Sequence, residues 1–278
     1  MKEVRPLNLD PKEVLIMGVL NATPDSFSDG GKFNSPDKAL ERAKEMEAEG
    51  ADIIDVGGES SRPGAETVPE GEELERTIPV IKKIKKESNL PISIDTYKAN
   101  VAQRALEEGA EIVNDISALR FDPEMAEVVA EKGANVILMH MQGRPQNMQE
   151  NPTYEDVVED IFNFLKARIN YAQENGISAD KIIIDPGIGF GKTVEDNFRI
   201  LQNLEKFKRL EKPLLLGTSR KSFIGKALNT PLGERLEGTI ASNVVGIMKG
   251  ANILRVHDVN AIKRAADITI RCNKPVGS

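Results

Sequence analysis

Eight short apolar runs recur along the chain: VLIMGVL (14–20), DIIDV (52–56), PISID (91–95), EIVND (111–115), NVILM (135–139), KIIID (181–185), PLLLG (213–217) and NILRV (252–256). None alternates strictly between apolar and polar positions. Continuous apolar runs are what strands buried on both faces require, the habit of parallel sheets covered by helices. Helical grammar fills the intervals. Ser35 and Pro36 supply an N-cap and an N1 proline, and the helix they open runs through ALERAKEMEAE to a stop at Gly50. Segments 98–108, 123–132 and 154–175 stop in the same way at Gly109, Gly133 and Gly176. Further helices are predicted near 70–88, 194–208, 233–249 and 258–272.

Apart from a preamble (1–13), the series divides into eight strand-then-helix units of about 33 residues, the size of the unit in a (β/α)8 TIM barrel. No linker, low-complexity tract or charge block interrupts it, so one domain over 1–278 is expected. The one dense charge cluster, KKIKKE (82–87), falls on a predicted helix as a solvated face. A doubly wound open sheet shares the alternation; the count of eight favours closure.

Composition narrows the function. With 37 Lys and Arg against 44 Asp and Glu, the net charge is −7, which speaks against a nucleic-acid binder. The one cysteine, Cys272, allows neither an internal disulfide nor a thiolate zinc cluster and fits a reducing compartment. The first residues lack the apolar stretch of a signal peptide, and no run reaches the 18 apolar residues of a membrane span, so a cytoplasmic protein is expected.

In a barrel, the site is assembled where the strands end. Here the runs close on Asn21, Asp55, Asp95, Asn114-Asp115, His140, Asp185, Ser219-Arg220-Lys221 and Arg255-Val256-His257. Any single carboxylate at such a place could be a helix cap; the convergence of so many marks a site. Two connections, 21–34 and 57–69, are long, rich in Ser, Gly and Asp, and read as lids over a ligand. PGIGFGKT (186–193) looks like a phosphate loop, but its spacing matches neither Walker A nor G-x-G-x-x-G, so it is read as a pocket wall packed closely on a flat ligand. Two histidines, His140 and His257, are too few for a histidine-based zinc site. Mg2+ needs less from the protein: one oxygen such as that of Asn21, with a pyrophosphate, suffices.

Taken in order, NATPDSFSDGG, VGGESSRPGA, SIDT, VNDI, IDPGIGFGK, GTSRKSFIG and LRVHDV resemble the bacterial dihydropteroate synthases over about residues 14–260. The resemblance implies a TIM barrel, a homodimer, and formation of dihydropteroate from 6-hydroxymethyl-7,8-dihydropterin pyrophosphate and 4-aminobenzoate. It implies that Asp95, Asn114, Asp185 and Lys221 bind the pterin. It further implies that Asn21, Arg62, Arg255 and His257, with Mg2+ near Asn21, hold and neutralise the leaving pyrophosphate, that Lys221, Arg255, His257 and Arg62 carry catalysis, and that Phe27, Ser61, Pro63, Phe190 and Ser222 form the aminobenzoate subsite. Ser61 stands where the family commonly has threonine, keeping the hydroxyl and losing a methyl, which bears on the response to the sulfonamides that target the family. Two residues keep open readings: Asp55 orients the second long loop or reaches the metal's water shell, and His140 is a wall residue.

A methyltetrahydrofolate:corrinoid methyltransferase would share the pterin contacts but has no pyrophosphate to neutralise. Two further rivals are a lyase using Lys221 as a Schiff-base nucleophile and a paralogue that binds pterin without turnover.

Overall fold

A computed structural model describes residues 13–23 and 36–273. Phe27, the Ser35 cap and most of the first long loop lie outside the described residues, as does nearly all of the preamble.

Eight parallel strands alternate with helices in the order β1 (Leu15–Asn21), α1 (Pro36–Glu49), β2 (Ile53–Gly57), α2 (Glu70–Glu87), β3 (Ile92–Asp95), α3 (Ala99–Glu107), β4 (Ile112–Asp115), α4 (Met125–Lys132), β5 (Asn135–Met139), α5 (Val157–Glu174), β6 (Ile182–Asp185), α6 (Val194–Gln202), β7 (Leu215–Leu216), α7 (Ser222–Leu228), α8 (Leu236–Met248), β8 (Ile253–Val256) and α9 (Val259–Asn273). Neighbours pair in the spatial order β6-β5-β4-β3-β2-β1-β8-β7. A bridge between Ile184 and Leu214 then joins β6 to the chain entering β7. The sheet therefore closes into the expected barrel, and an open sheet is ruled out.

Alternate residues on each strand face opposite ways. Met17, Ile53, Ile112, Ile137, Ile183, Leu215 and Ile253 form a fully buried plug inside the barrel, while their chain neighbours Ile16, Ile54, Val113, Leu138, Ile184 and Leu254 pack outward under the helices. At about 1.5–3 kcal/mol per buried aliphatic side chain, both layers stabilise strongly, which is why the runs are apolar without alternation. Two residues beyond the plug, the same inward phase brings Asp55, Asn114, Asp185 and Arg255 to the mouth. Asp95 reaches it in register with Asn114.

The structure departs from the sequence pattern in three places. The run at 213–217 yields only a two-residue β7, because Pro213 has no N–H for a ladder and the Leu214 amide is diverted to the Asn252 side chain at 3.1 Å. An additional helix, α7, follows β7 at once; seven residues with an internal glycine carry too little periodicity to announce it. Helix α5 starts later than expected, at Val157, because Asp156 caps it by accepting from the Val158 and Glu159 amides. Among the described residues, no helix is long and apolar enough to cross a membrane.

Candidate active site

At the floor of the mouth, the wholly buried Asp55 and the half-buried Asp95 share one guanidinium. Arg255 Nε lies 2.6 Å from Asp55 Oδ2, and its Nη2 lies 2.6 Å from Asp95 Oδ2. The Asn114 amide donates to the same Asp55 oxygen at 3.3 Å. The other Asp55 oxygen, also buried, has no partner among the described residues. Burial pushes the Asp95 carboxyl up to about 7; Arg255 opposes this, and Asp55, Glu73 and Asp115 add to it. Facing two carboxylates, Arg255 keeps its charge more firmly than an ordinary arginine despite its own burial. The partners of Asp55 among the described residues are thus Arg255 and Asn114.

The 186–193 loop packs along one side of the mouth. Asp185 Oδ1 accepts from the Gly187 amide at 2.7 Å, which starts the turn and leaves Oδ2 for another donor. A Cβ at Gly187, whose φ is +68°, would collide with the His140 carbonyl. The loop therefore lies directly on the segment after β5, and Phe190 joins Ile116, Met139, Met141 and Met148 in an apolar cluster at the mouth. Under it, the buried Lys192 ammonium donates to the Phe190 carbonyl and to His140 Nδ1, each at 2.9 Å. Burial, then the Lys192 charge, hold His140 well below the ordinary histidine value, and burial likewise lowers Lys192. His140 is thus a prop beneath the wall.

Lys221, the cap residue of α7, donates to the Ile188 carbonyl and sits 4.6 Å from the centre of the Phe190 ring. Burial lowers its pKa to about 8 against the pull of Asp185. Burial in turn raises Asp185, against the pull of Lys221. The pair thus presents an acceptor at the end of β6 and a donor after its neighbour β7.

The rim is cationic. His257 Nδ1 lies 3.0 Å from Ser219 Oγ. Burial, then Arg255 and Arg220, push its pKa down to about 4, with Arg62 contributing. Without a bound anion this favours the neutral imidazole at His257. Arg220 is itself tied to Asp258 at 2.9 and 2.5 Å. Arg62 is exposed on the second long loop, with half-buried Ser61 and exposed Pro63 beside it, and Ser222 is exposed at the first turn of α7. Asn21, half-buried, ends β1 in register with Gly57. No group of three or more acidic, His or Cys side chains able to hold a metal occurs among the described residues. That donor set suits an ion bound mainly by a ligand's own oxygens, with Asn21 adding one.

Sequence reading missed three contributors: Lys192, the Arg255-holding role of Asp55, and Glu59, which anchors the second loop. Lys192 and Glu59 lie inside the family motifs, but their burial beside partners distant in sequence has no local signal.

The arrangement can bind a flat heterocycle edge-on between carboxylates and a lysine, stack it near Phe190, and receive an anion at the arginine-lined rim. The model of a family described as pterin binding enzyme matches residues 17–257. The dihydropteroate synthase of Clostridium beijerinckii is 54% identical over 255 residues, covering 91% of this chain and 92% of that one. Among solved structures, the Yersinia pestis dihydropteroate synthase with a sulfonamide drug complex superposes with a TM-score of 0.92 at 44% identity, over 97% of this chain and 98% of that one. The Xanthomonas albilineans dihydropteroate synthase in complex with 7,8-dihydropteroate gives 0.86 at 38% identity, over 97% of each chain. The chain belongs to the pterin binding enzyme family, and within it to the dihydropteroate synthases.

Proposed function

We propose that this chain, working as one barrel domain, transfers the dihydropterin-6-ylmethyl group from 6-hydroxymethyl-7,8-dihydropterin pyrophosphate to 4-aminobenzoate. The observation that carries the residue assignments is the convergence of Asp95, Asn114, Asp185 and Lys221 on one mouth, beneath an arginine-lined rim. Asp185 Oδ2 and Asp95 accept from the ring's N–H groups, Asn114 takes a remaining ring donor or acceptor, and Lys221 donates to the carbonyl side. A ligand lacking those partners leaves buried charged groups unpaired, at about 1–3 kcal/mol or more each, so the pocket selects pterins.

The bond between the methylene carbon and the bridging oxygen breaks first, its electron pair leaving with pyrophosphate, and the cation left behind is delocalised into the pterin ring. Arg255 and Arg62 receive the departing charge, and neutral His257 donates a hydrogen bond to it. Asn21 would hold Mg2+ together with pyrophosphate oxygens. When bound, the ion offsets charge on the leaving group. The aminobenzoate nitrogen then attacks the methylene carbon and loses a proton. Phe190, Ser61, Pro63 and Ser222 line its subsite, and Phe27 belongs to the same assignment. Sulfonamides, as aminobenzoate mimics, compete there. No covalent protein nucleophile is required.

The enzyme acts in the cytoplasm as a homodimer. Supporting the dimer, α7 to α9 and their connections carry the exposed large apolar side chains Leu228, Leu232, Leu236, Val245, Met248 and Ile268. The test is incubation with both substrates and Mg2+, following dihydropteroate by mass and pyrophosphate release, with an EDTA control. Metal-dependent product is the expected result. Pterin binding without product would leave the pocket standing and overturn the catalytic roles.

A further inference from the structure

The loop that carries Ser61, Arg62 and Pro63 is closed at its neck by a single carboxylate. Glu59 Oε2 accepts from the Val68 amide at 3.2 Å, tying together two points nine residues apart. The same oxygen receives Lys98 Nζ at 2.5 Å, while Oε1 accepts from the Tyr97 hydroxyl at 2.6 Å. Lys98 also pairs with Glu73, which is 1% exposed on α2, and Arg76 of α2 donates to the Gly58 carbonyl at 2.8 Å. Burial works against the Lys98 charge, but the two carboxylates outweigh it and keep it charged. Beyond the neck, the Gly64 amide donates to the Pro145 carbonyl at 3.0 Å. Ser61, Arg62 and Pro63 therefore stand on a span whose ends are fixed and whose middle is exposed.

The Arg62 charge is among those that lower the His257 pKa. A guanidinium on an open nine-residue span would sample many positions, and catalysis by charge depends on holding it where charge develops. We propose that Glu59 is a positioning residue: its carboxylate cinches the 59–68 loop, with Lys98 and Tyr97 orienting that carboxylate, and so delivers Arg62 to the departing pyrophosphate. The proposal rests on the reading of Arg62 as a pyrophosphate ligand. Removing Glu59 leaves Lys98 paired one-to-one with Glu73, so no buried charge is stranded and the barrel keeps its fold.

The test compares Glu59→Gln, Glu59→Ala, Arg62→Ala and Glu59→Ala/Arg62→Ala in the full chain. Amide hydrogen exchange over 59–68 should speed up by about tenfold or more in Glu59→Ala, with the strand amides of β2 and β3 unchanged. Turnover should fall by about tenfold or more, with pterin affinity kept within about twofold. Adding Glu59→Ala to Arg62→Ala should cost less than about twofold further, since both act through one group. Unchanged exchange, or an equal additional loss in the Arg62→Ala background, overturns the proposal. Wild-type turnover in Arg62→Ala overturns the Arg62 reading and this one with it. Loss in Arg62→Ala beside wild-type turnover in Glu59→Ala overturns the role of Glu59 alone.

Discussion

The most consequential single residues are those whose charge depends on burial. Asp95, with its pKa raised to about 7, takes up a proton as pH falls through that value and would then lose the charge behind its proposed acceptance from the pterin. Lys221, lowered to about 8, loses a proton as pH rises and would then lose the charge that strengthens its proposed donation. Pterin affinity should therefore be greatest between about 7 and 8 and decline on both sides, measurable by calorimetric titration across pH. The low pKa of His257 means that its imidazole stays neutral down to about 4 in the free protein. A bound pyrophosphate should shift that midpoint upward, visible as a change in the histidine ring proton titration by NMR. Asp185→Ala and Lys221→Ala should each weaken pterin binding by at least about tenfold, corresponding to a lost charged hydrogen bond of about 1.5–3 kcal/mol. Asn21→Ala should mainly slow pyrophosphate release, read by single-turnover kinetics, whereas Arg255→Ala also removes the shared partner of Asp55 and Asp95 and should weaken pterin binding as well. Full pterin affinity in both members of the first pair would remove the basis for the pocket assignment.

Among the elements, the glycine-rich loop is the most demanding. Its φ of +68° at Gly187 costs any L-residue about 1–2 kcal/mol, and the His140 carbonyl occupies the place of a Cβ. Gly187→Ala should lower stability by about 2 kcal/mol or more in urea unfolding and raise the KM for aminobenzoate by displacing Phe190. The loop is also moored to α6, where the Asn197 side chain accepts from the Gly189 amide at 2.6 Å and a Thr193–Asp196 capping box starts the helix. Wall and helix start are one construction. A motif that looks like a phosphate loop is thereby built as a tightly anchored turn.

For the whole molecule, closure of the barrel matters because it makes eight separate strand ends one rim. Arg255 on β8 meets Asp55 on β2 and Asp95 on β3, 200 and 160 residues away in the chain. Assembly adds a further layer: Val245→Glu with Met248→Glu should convert the proposed dimer to monomer in light scattering, leaving the mouth intact.

The order of strands and most helices, and the polar residues at the strand ends, were legible in the sequence because each rests on local pattern: apolar runs, capping residues, and the polar residues Asp55, Asn114, Asp185 and Arg255 that close the runs. The family resemblance came from ordered motifs on successive connections. Local pattern carried no sign of how those residues divide their work. That Arg255 is held by two carboxylates, that His257 is neutral, that Lys192 props the wall and that Glu59 closes a loop all depend on burial and on neighbours far away in sequence. Burial sets the cost of charge, and only the closed barrel determines which groups are buried together.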